Sequence, residues 1–242
     1  MKLISLNIEG KKHFDKVLPF LDKENPDVIC LQEAPIEISS LLQGKGYKVS
    51  FLPITIMSDD VSNFPQGNIF ASRLDYTLDF YYYHRSFDDI TQFDPQRMGK
   101  TVSRVLLLAE LKDTCIATTH FTWAPDGSIY TADQIDNIHK MFDFLDTKPP
   151  HVLCGDMNIP RKINKLYEKE ISPRYIDAVP DHYKSSLDKN LHRVGDNPEK
   201  EHLFKDFMVD YLLLKEPIKA KNVRLEFGLS DHAAIVSEIY TD

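Results

Sequence analysis

Short apolar runs separated by polar turns dominate the sequence, and most of them are typical of β-strands. An apolar run at residues 2–8 is followed by apolar residues at helical spacing over 14–21 and by a second buried run at 27–31. Asn25-Pro26 ends the helix between the two runs. This β-α-β opening predicts a sheet with parallel or mixed pairing.

The rest of the chain continues this pattern, with many strands and few helices. We predict strands over residues 47–56, 68–72, 76–84, 101–111, 114–120, 151–154, 207–214 and 233–240, and a helix over 129–145. The polar stretch 57–66, which contains Pro65, is predicted to be a loop, and 163–205 is the least regular region. With no internal repeat or linker, the pattern indicates a single α/β domain over residues 1–242.

Composition narrows the class of protein. A chain of 242 residues with 42% hydrophobic residues can bury a large core. The formal net charge of -8 argues against a protein that coats nucleic acid, because that function needs an excess of Lys and Arg. Clustered carboxylates instead raise the expectation of a divalent cation.

Cysteines and hydropathy indicate the compartment. Cys30, Cys115 and Cys154 lie in apolar runs without a CxxC spacing, which predicts reduced thiols in the core. The first ten residues are too short and polar for a signal peptide, and no apolar run approaches the ~20 residues of a membrane span. We expect a cytoplasmic monomer without a membrane span.

Polar side chains that can carry chemistry stand at the ends of many predicted strands. They are Asn7, Glu33, His120, Asp156, Asn158, Asp210, Asp231 and His232. In layered α/β folds, strand ends converge at one rim and build sites there. Any one of these residues could be a solvated turn residue, but together they match one chemistry.

Hydrolysis of a phosphate ester requires these residue types. A divalent metal on hard oxygen ligands neutralises phosphate charge, and Glu33, with Asn7 and Glu9 nearby, is the best ligand candidate. Asp156 suits a general base, because burial beside phosphate raises the pKa of a carboxylate. The Asn158 amide stabilises an oxyanion without adding charge.

Seven local strings carry a resemblance to a known family. They are LNIEG (6–10), CLQEA (30–34), GNIFASR (67–73), TTHF (118–121), LCGDMN (153–158), VDYLLL (209–214) and LSDHAAI (229–235). In these strings and their order, the chain resembles the endonuclease/exonuclease/phosphatase superfamily. The resemblance implies a four-layer α/β sandwich, in which two packed mixed β-sheets are flanked by helices.

The resemblance also implies a metal site for Mg²⁺ or Mn²⁺. Glu33 would be the principal metal ligand, and Asn7 would help bind metal or phosphate. Asp231 would sit near the metal, directly or through water. Glu9 falls where the apurinic endonuclease branch has an Asp, so the charge is kept but its reach differs.

On the phosphate side, the resemblance implies that Asp156 positions the nucleophilic water and that Asn158 binds a phosphate oxygen. His232 would contact the phosphate, paired with Asp210 as a carboxylate–imidazole dyad. His120 would be a second group facing the phosphate. The apurinic endonuclease branch has a Tyr at the position of His120, so this chain is more similar to the deoxyribonuclease, sphingomyelinase and phosphatase branches.

Two further residues are candidates for substrate contact. Trp123, in the polar stretch TWAPDG, can stack a base. Arg161, in a small basic cluster after GDMNIP, can meet a phosphate, although a solvated surface remains the alternative. The histidines at 13, 84, 139, 182, 192 and 202 have no motif context, and we expect them at the surface.

We therefore predict a divalent-metal-dependent phosphoesterase that hydrolyses phosphodiester bonds, with nucleic acid as the expected substrate. A phosphatase or phosphodiesterase acting on small molecules or lipid headgroups is the alternative, because fold and catalytic residues do not separate the two. A non-catalytic binding module is a further alternative, which the filled catalytic positions disfavour.

Overall fold

Two six-stranded β-sheets pack face to face, and helices cover the outside. The computed structural model describes residues 1–241; residue 242, the last of the predicted single domain, lies outside it. The first sheet has the strand order β11-β12-β1-β2-β4-β3 and the second has the order β5-β6-β7-β8-β10-β9. Both sheets are mixed, which confirms the predicted four-layer α/β architecture.

The strands and helices follow in chain order. The strands are β1 (Lys2–Asn7), β2 (Val28–Pro35), β3 (Lys48–Ser58), β4 (Asn63–Ser72), β5 (Tyr76–His84), β6 (Arg104–Leu111), β7 (Cys115–His120), β8 (His151–Asp156), β9 (Ile176–Asp177), β10 (Asp210–Leu214), β11 (Lys219–Glu226) and β12 (Ala234–Tyr240). The helices are α1 (Phe14–Glu24), α2 (Glu37–Gly44), α3 (Met98–Thr101), α4 (Ala132–Leu145) and α5 (Glu201–Asp206). No helix within residues 1–241 is long and apolar enough to cross a membrane.

Each sheet contains one parallel pair of strands, and the carboxyl ends of both pairs reach the same rim. β1 pairs with β2 so that Asn7 lies beside Gln32, and β7 pairs with β8 so that His120 lies beside Asp156. β10 runs antiparallel to β8, which places Asp210, its first residue, opposite Asp156. Strand direction and register therefore bring distant segments of the chain to one edge.

Alternation along β1 divides the core between two layers. Leu3 packs in the large core cluster between the sheets, while Ile4 and Leu6 pack in a second cluster against α1 and α2. Because successive side chains point to opposite faces, Asn7 shares the face of Leu3. It therefore projects between the sheets, toward β8.

Most predicted elements are confirmed, and the differences have local causes. The stretch 57–66 was predicted to be a loop, but Met57 pairs with Phe64 and only residues 59–62 turn the chain. The carboxylate of Asp59 caps this turn by accepting the amides of Val61 and Ser62. The sequence pattern also missed α2 and β11, whose burial is one-sided and whose residues are largely polar.

Gly155 marks the point at which the two parallel strands of the second sheet approach most closely. Its φ is +130°, and a Cβ atom there would lie 2.1 Å from the carbonyl oxygen of Thr119. No other residue fits this position without moving the backbone of β7. The glycine of GDMN is therefore required by packing directly beneath Asp156.

Arg161 lies in a buried structural network, which corrects its prediction as a substrate contact. The residue is 6% exposed. Its guanidinium forms an ion pair with Asp177 at 3.0 Å and donates to the carbonyl oxygens of Val179 and Tyr183 at 2.8 and 2.7 Å. Since these partners occupy its donors, Arg161 ties the turn after β8 to β9 and the segment that follows it within the irregular region 163–205.

We expect Arg161→Gln to lower the free energy of unfolding by about 3–5 kcal/mol, because it leaves the buried Asp177 carboxylate without its cation. Lys162→Gln is the matched control: Lys162 is an exposed neighbour whose solvent-exposed ion pair with Asp181 should contribute little to stability. Urea unfolding of both variants measures the difference. Equal destabilisation by the two changes would contradict the structural role of Arg161.

Candidate active site

The side-chain amide of Asn7 connects the two sheets at the rim. Its Nδ2 donates to Glu33 Oε1 at 3.2 Å, within the first sheet, and to Asp156 Oδ2 at 3.1 Å, in the second sheet. Asn7 is buried, as is Asp156, whereas the Glu33 side chain is partly exposed. One amide therefore holds two carboxylates close together without adding charge.

A left-handed backbone conformation directs Glu33 toward this amide. Its φ is +52°, and the β2–β4 register shifts between Leu31 and Ala34. Regular alternation would point Glu33 away from the second sheet, as it does Leu31, and the irregularity reverses that direction. Glu9 and Asn158 also have positive φ values, so three of the predicted site residues occupy this uncommon region.

His232 and Asp210 form the predicted carboxylate–imidazole pair. His232 Nδ1 lies 2.8 Å from Asp210 Oδ2, and its Nε2 lies 3.8 Å from Asp156 Oδ2. Burial by itself lowers the pKa of His232, but the carboxylates of Asp210 and Asp156 outweigh this effect and raise that pKa well above its usual value. The imidazole is therefore protonated at neutral pH, with Nε2–H directed toward Asp156.

The pKa of Asp156 is higher than that of an ordinary aspartate. Burial raises its pKa to about 7, even though the nearby His232 cation and hydrogen bonds act to lower it. The amide N–H of Asn158 donates to its Oδ1 at 2.9 Å. Both carboxylate oxygens are thus oriented, and the group exchanges a proton near neutral pH.

His120 faces the same carboxylates from β7. Its Nε2 lies 3.6 Å from Asp156 Oδ2 and its Nδ1 lies 3.8 Å from Glu33 Oε1. Burial, the Arg104 guanidinium and His232 lower the pKa of His120 well below its usual value, so the imidazole is neutral. Nδ1 is buried without a hydrogen-bond partner among residues 1–241, which leaves it available for a ligand.

Asn158 is fixed by the loop that follows β7. Its Nδ2 donates to the carbonyl oxygen of Phe121 at 3.1 Å. Gln134, in the first turn of α4, donates to the carbonyl oxygens of Thr122 and Asn158 at 2.8 and 3.4 Å. These bonds join the loop, α4 and the GDMN turn in one arrangement.

The oxygen donors at the rim fit a divalent cation. Burial and then the neighbouring Asp231 charge raise the pKa of Glu33, so these two carboxylates lie close enough to repel each other. Such a pair, beside the Asn7 amide, suits a hard cation such as Mg²⁺ or Mn²⁺. Asp231 is partly exposed, and the hydroxyl of Ser230 donates to it at 3.1 Å.

Another group also has metal-ligand spacing, but its atoms are already paired. Ligand atoms of Asp156, Asp210 and His232 lie within 4.8 Å of one another. Oδ2 of Asp210, however, accepts the Ser186 hydroxyl at 2.6 Å and pairs with His232. These contacts make the group a hydrogen-bonded dyad beside Asp156.

Glu9 and Trp123 lie at the edges of the site. The carboxylate of Glu9 pairs with Lys12 and with His13, at 3.1 Å from His13 Nε2, and it contacts none of the other predicted ligands within residues 1–241. This pairing occupies both of its oxygens, while the backbone amide of Glu9 donates to Asn7 Oδ1 at 3.2 Å. Trp123 is 43% exposed and borders a cavity beside His120.

The sequence missed two residues that support the site. Arg104, the first residue of β6, donates from NH1 to the carbonyl oxygen of His120 at 3.2 Å. The Ser186 hydroxyl binds Asp210 and accepts the amides of Val209 and Asp210. The charge at the start of the apolar run of β6 could have identified Arg104, but Ser186 lies in the irregular region and carries no local signal.

His192 lies closer to the site than its prediction as a surface residue implies. It is half-buried, and burial lowers its pKa while the charges of Asp231 and His232 also act on it. The amide of Val194 donates to its Nδ1 at 3.2 Å. The region 163–205 therefore covers part of the rim.

Comparisons with known proteins agree with this arrangement. The sequence profile of the Endonuclease/Exonuclease/phosphatase family matches residues 4–232. A search of curated proteins finds no match. Solved structures of similar fold include an endonuclease/exonuclease/phosphatase from Beutenbergia cavernae, with a TM-score of 0.71 and 16% identity over 100% of this chain and 71% of that chain.

The names of two other similar structures point to different classes of substrate for those proteins. D. rerio TDP2 in complex with a single-strand DNA product has a TM-score of 0.68 at 13% identity, covering 100% of this chain and 99% of that chain. A mannosyl-6-phosphatase from Bacteroides thetaiotaomicron has a TM-score of 0.69 at 12% identity, covering 99% of each chain. At these identities the likeness shows the fold alone.

The family profile spans nearly the whole chain, from β1 to the His232 that ends the site, and the fold agrees with it. Members of this family hydrolyse phosphate esters and generally depend on divalent metals. The chain therefore belongs to the Endonuclease/Exonuclease/phosphatase family of phosphoesterase hydrolases.

Proposed function

We propose that this phosphoesterase hydrolyses phosphodiester bonds in nucleic acid, with Mg²⁺ or Mn²⁺ as its cofactor. The observation that carries the catalytic part is the meeting of Asp156 with Asn7, His120 and His232 at one rim. The neutral imidazole, the protonated imidazole and the carboxylate of raised pKa are complementary acid–base states. Together they can move a proton and bind a charged phosphate.

Glu33 would hold the metal, with Asn7 and Asp231 contributing directly or through water. When bound, the metal supplies charge neutralisation for the phosphate and the leaving oxygen. We leave Glu9 out of this set because Lys12 and His13 occupy its carboxylate. The Asn7 amide would keep Glu33 and Asp156 aligned by donating to both.

In this proposal, Asp156 orients the attacking water and accepts its proton. The backbone N–H of Asn158 and the side-chain amide of Asn7 each donate to one oxygen of Asp156, so the carboxylate cannot rotate away. His232, protonated because Asp210 and Asp156 stabilise its charge, would donate from Nε2 to a phosphate oxygen. His120 and the Asn158 amide would contact the other phosphate oxygens.

Support for nucleic acid comes from the exposed indole of Trp123 beside the site, which offers a flat surface for a base. The alternative is a small-molecule or lipid-headgroup phosphatase, which the net charge of -8 favours because long polyanions are repelled. Both substrates use the same rim, so only the surrounding loops distinguish them.

We also propose that the chain acts as a single-domain monomer in the cytoplasm. All three cysteines are free and buried, which supports a reducing compartment. One family profile over residues 4–232 supports a single domain. Size-exclusion chromatography with light scattering tests the monomer, and a mass near twice 28.0 kDa would contradict it.

Asp156→Ala should lower kcat/KM for bis-p-nitrophenyl phosphate by about 10²–10⁴-fold or more, because the general base is lost. Asp113→Ala removes an exposed carboxylate on a distant turn and serves as the matched control, with activity unchanged. Initial rates with and without EDTA measure both. Full metal-dependent activity in Asp156→Ala would remove Asp156 from this role.

Glu33→Gln should raise the Mg²⁺ concentration needed for half-maximal rate by about tenfold or more, because a carboxylate ligand is replaced by a neutral amide. His232→Ala should instead reduce kcat while leaving that concentration nearly unchanged. Mg²⁺ titrations of the two variants separate the effects. An unchanged metal requirement in Glu33→Gln would exclude Glu33 as a ligand.

The enzyme should cleave single-stranded or nicked nucleic acid with modest rates that fall as salt rises, because phosphate contacts are screened. A panel of oligonucleotides, phosphomonoesters and lipid headgroups, each with and without EDTA, measures this preference. Strong monoester hydrolysis without cleavage of any DNA or RNA would establish the phosphatase alternative instead.

A further inference from the structure

A cavity of about 450 Å³ opens beside His120, between the start of β6 and the start of α4. Volumes of this size suit a small ligand. The cavity is lined in part by Arg104, Thr122, Trp123, Thr131 and Asp133. We refer to it as the Arg104 pocket, after the one buried cation in this lining group.

Arg104 carries a buried positive charge that lacks an ion-pair partner. The residue is 4% exposed, and within residues 1–241 its guanidinium makes one hydrogen bond, from NH1 to the carbonyl oxygen of His120. Within residues 1–241, no carboxylate oxygen lies within 4 Å of its guanidinium nitrogens. A guanidinium has five N–H donors, so most of them remain available to a group in the cavity.

The first turn of α4 borders the same cavity through Thr131 and Asp133. Thr131 and Gln134 satisfy each other's amides in a capping box. The amides of residues 132 and 133 have no acceptor within residues 1–241, as expected at the start of a helix. Helix amino termini attract anions, and here a buried guanidinium faces the same space.

The organic part of a ligand would meet Trp123 at the mouth. Its indole is 43% exposed, and it is the single Trp of the sequence. A flat aromatic surface next to an anion site fits a nucleobase attached to a phosphate. Asp133 is exposed on the same wall, and its carboxylate opposes an anion there, so it tunes the strength of binding.

We propose that the Arg104 pocket binds a second phosphate of the substrate, so that the substrate is a nucleotide bearing a phosphate besides the one that is hydrolysed. This inference rests on the phosphoesterase function proposed above. The alternative is that Arg104 only balances the charge of Glu33 and Asp156, whose electric fields reach its guanidinium. That alternative predicts no preference for a second phosphate.

Tryptophan fluorescence tests the pocket directly, since Trp123 is the only fluorophore of its kind. The full chain carrying Asp156→Asn, which blocks turnover, is titrated in EDTA with adenosine, adenosine 5′-monophosphate and adenosine 3′,5′-bisphosphate. We expect the bisphosphate to bind at least tenfold more tightly than the monophosphate. Equal affinities for these two ligands would overturn the proposal.

Two further substitutions assign the effect to the pocket. Arg104→Gln should remove the preference for the bisphosphate, whereas Arg97→Gln, an equal charge change on an exposed neighbouring residue, should preserve it. Loss of the preference in both variants, or in neither, would overturn the proposal. Circular dichroism verifies that each variant is folded.

If Arg104→Gln does not fold, Asp133→Asn decides the matter, because that side chain is exposed. Removal of its charge should tighten bisphosphate binding two- to fivefold and leave adenosine binding unchanged. An unchanged affinity for the bisphosphate would overturn the proposal that the Arg104 pocket binds a phosphate. A hexose bisphosphate that binds as tightly as the nucleotide would overturn the nucleobase contact with Trp123.

Hydrolysis separates this proposal from the proposed function. Bis-p-nitrophenyl phosphate has no second phosphate, so its metal-dependent turnover by the unmodified chain tests the catalytic rim alone. Turnover without bisphosphate preference refutes the pocket and leaves the phosphoesterase intact. Bisphosphate preference without turnover of any ester refutes the catalytic proposal and leaves the binding site.

Discussion

The amide of Asn7 bonds to carboxylates of both sheets, and the geometry of the rim depends on this one bridge. It stands at the end of β1, where the first sheet faces β8, and it donates to Glu33 and Asp156 together. Two carboxylates held this close repel each other unless neutral donors and cations compensate. The remaining polar groups of the site can be understood as that compensation.

Burial and neighbouring charges then determine the protonation state of each titratable group at the rim. Asp156, enclosed between the sheets, has a pKa raised to about 7, while the Asp210 and Asp156 carboxylates keep His232 protonated despite its burial. Burial, with the charges of Arg104 and His232, instead lowers the pKa of His120 well below its usual value, which favours the neutral imidazole. His120 and His232 each lie within 4 Å of Asp156, and the three groups favour different protonation states, which is the arrangement that acid–base chemistry needs.

Irregular backbone positions at the rim orient several of the site residues. Glu33 turns toward the second sheet because of a left-handed conformation and a register shift, and Asn158 has a positive φ next to Asp156. Gly155 allows β7 and β8 to approach closely beneath them. Such strain persists only where the surrounding sheets hold it in place, as these two packed sheets do.

The sequence by itself determined most of the elements and the residue types of the rim. Alternation and strand-end positions predicted the sheets, because period-two burial is a local property, and the family resemblance supplied the site residues from Asn7 to His232. The sequence could not place Ser186 beside Asp210, and it could not exclude Arg161 as a substrate contact. Both depend on burial, and burial of a polar side chain depends on which distant groups surround it. It also could not show that Glu9 pairs with its own neighbours.

Tertiary structure decided the contacts across the two sheets. Asn7 and Asp156 are 149 positions apart, and only the face-to-face packing of β1 and β8 brings them within 3.1 Å. The contact of His232 with Asp210 likewise joins the segment before β12 of the first sheet to β10 of the second, and Arg104 at the start of β6 reaches the carbonyl oxygen of His120 at the end of β7. These contacts join segments that are distant in the sequence. The sequence therefore identifies the donors and acceptors, and long-range packing determines which of them pair.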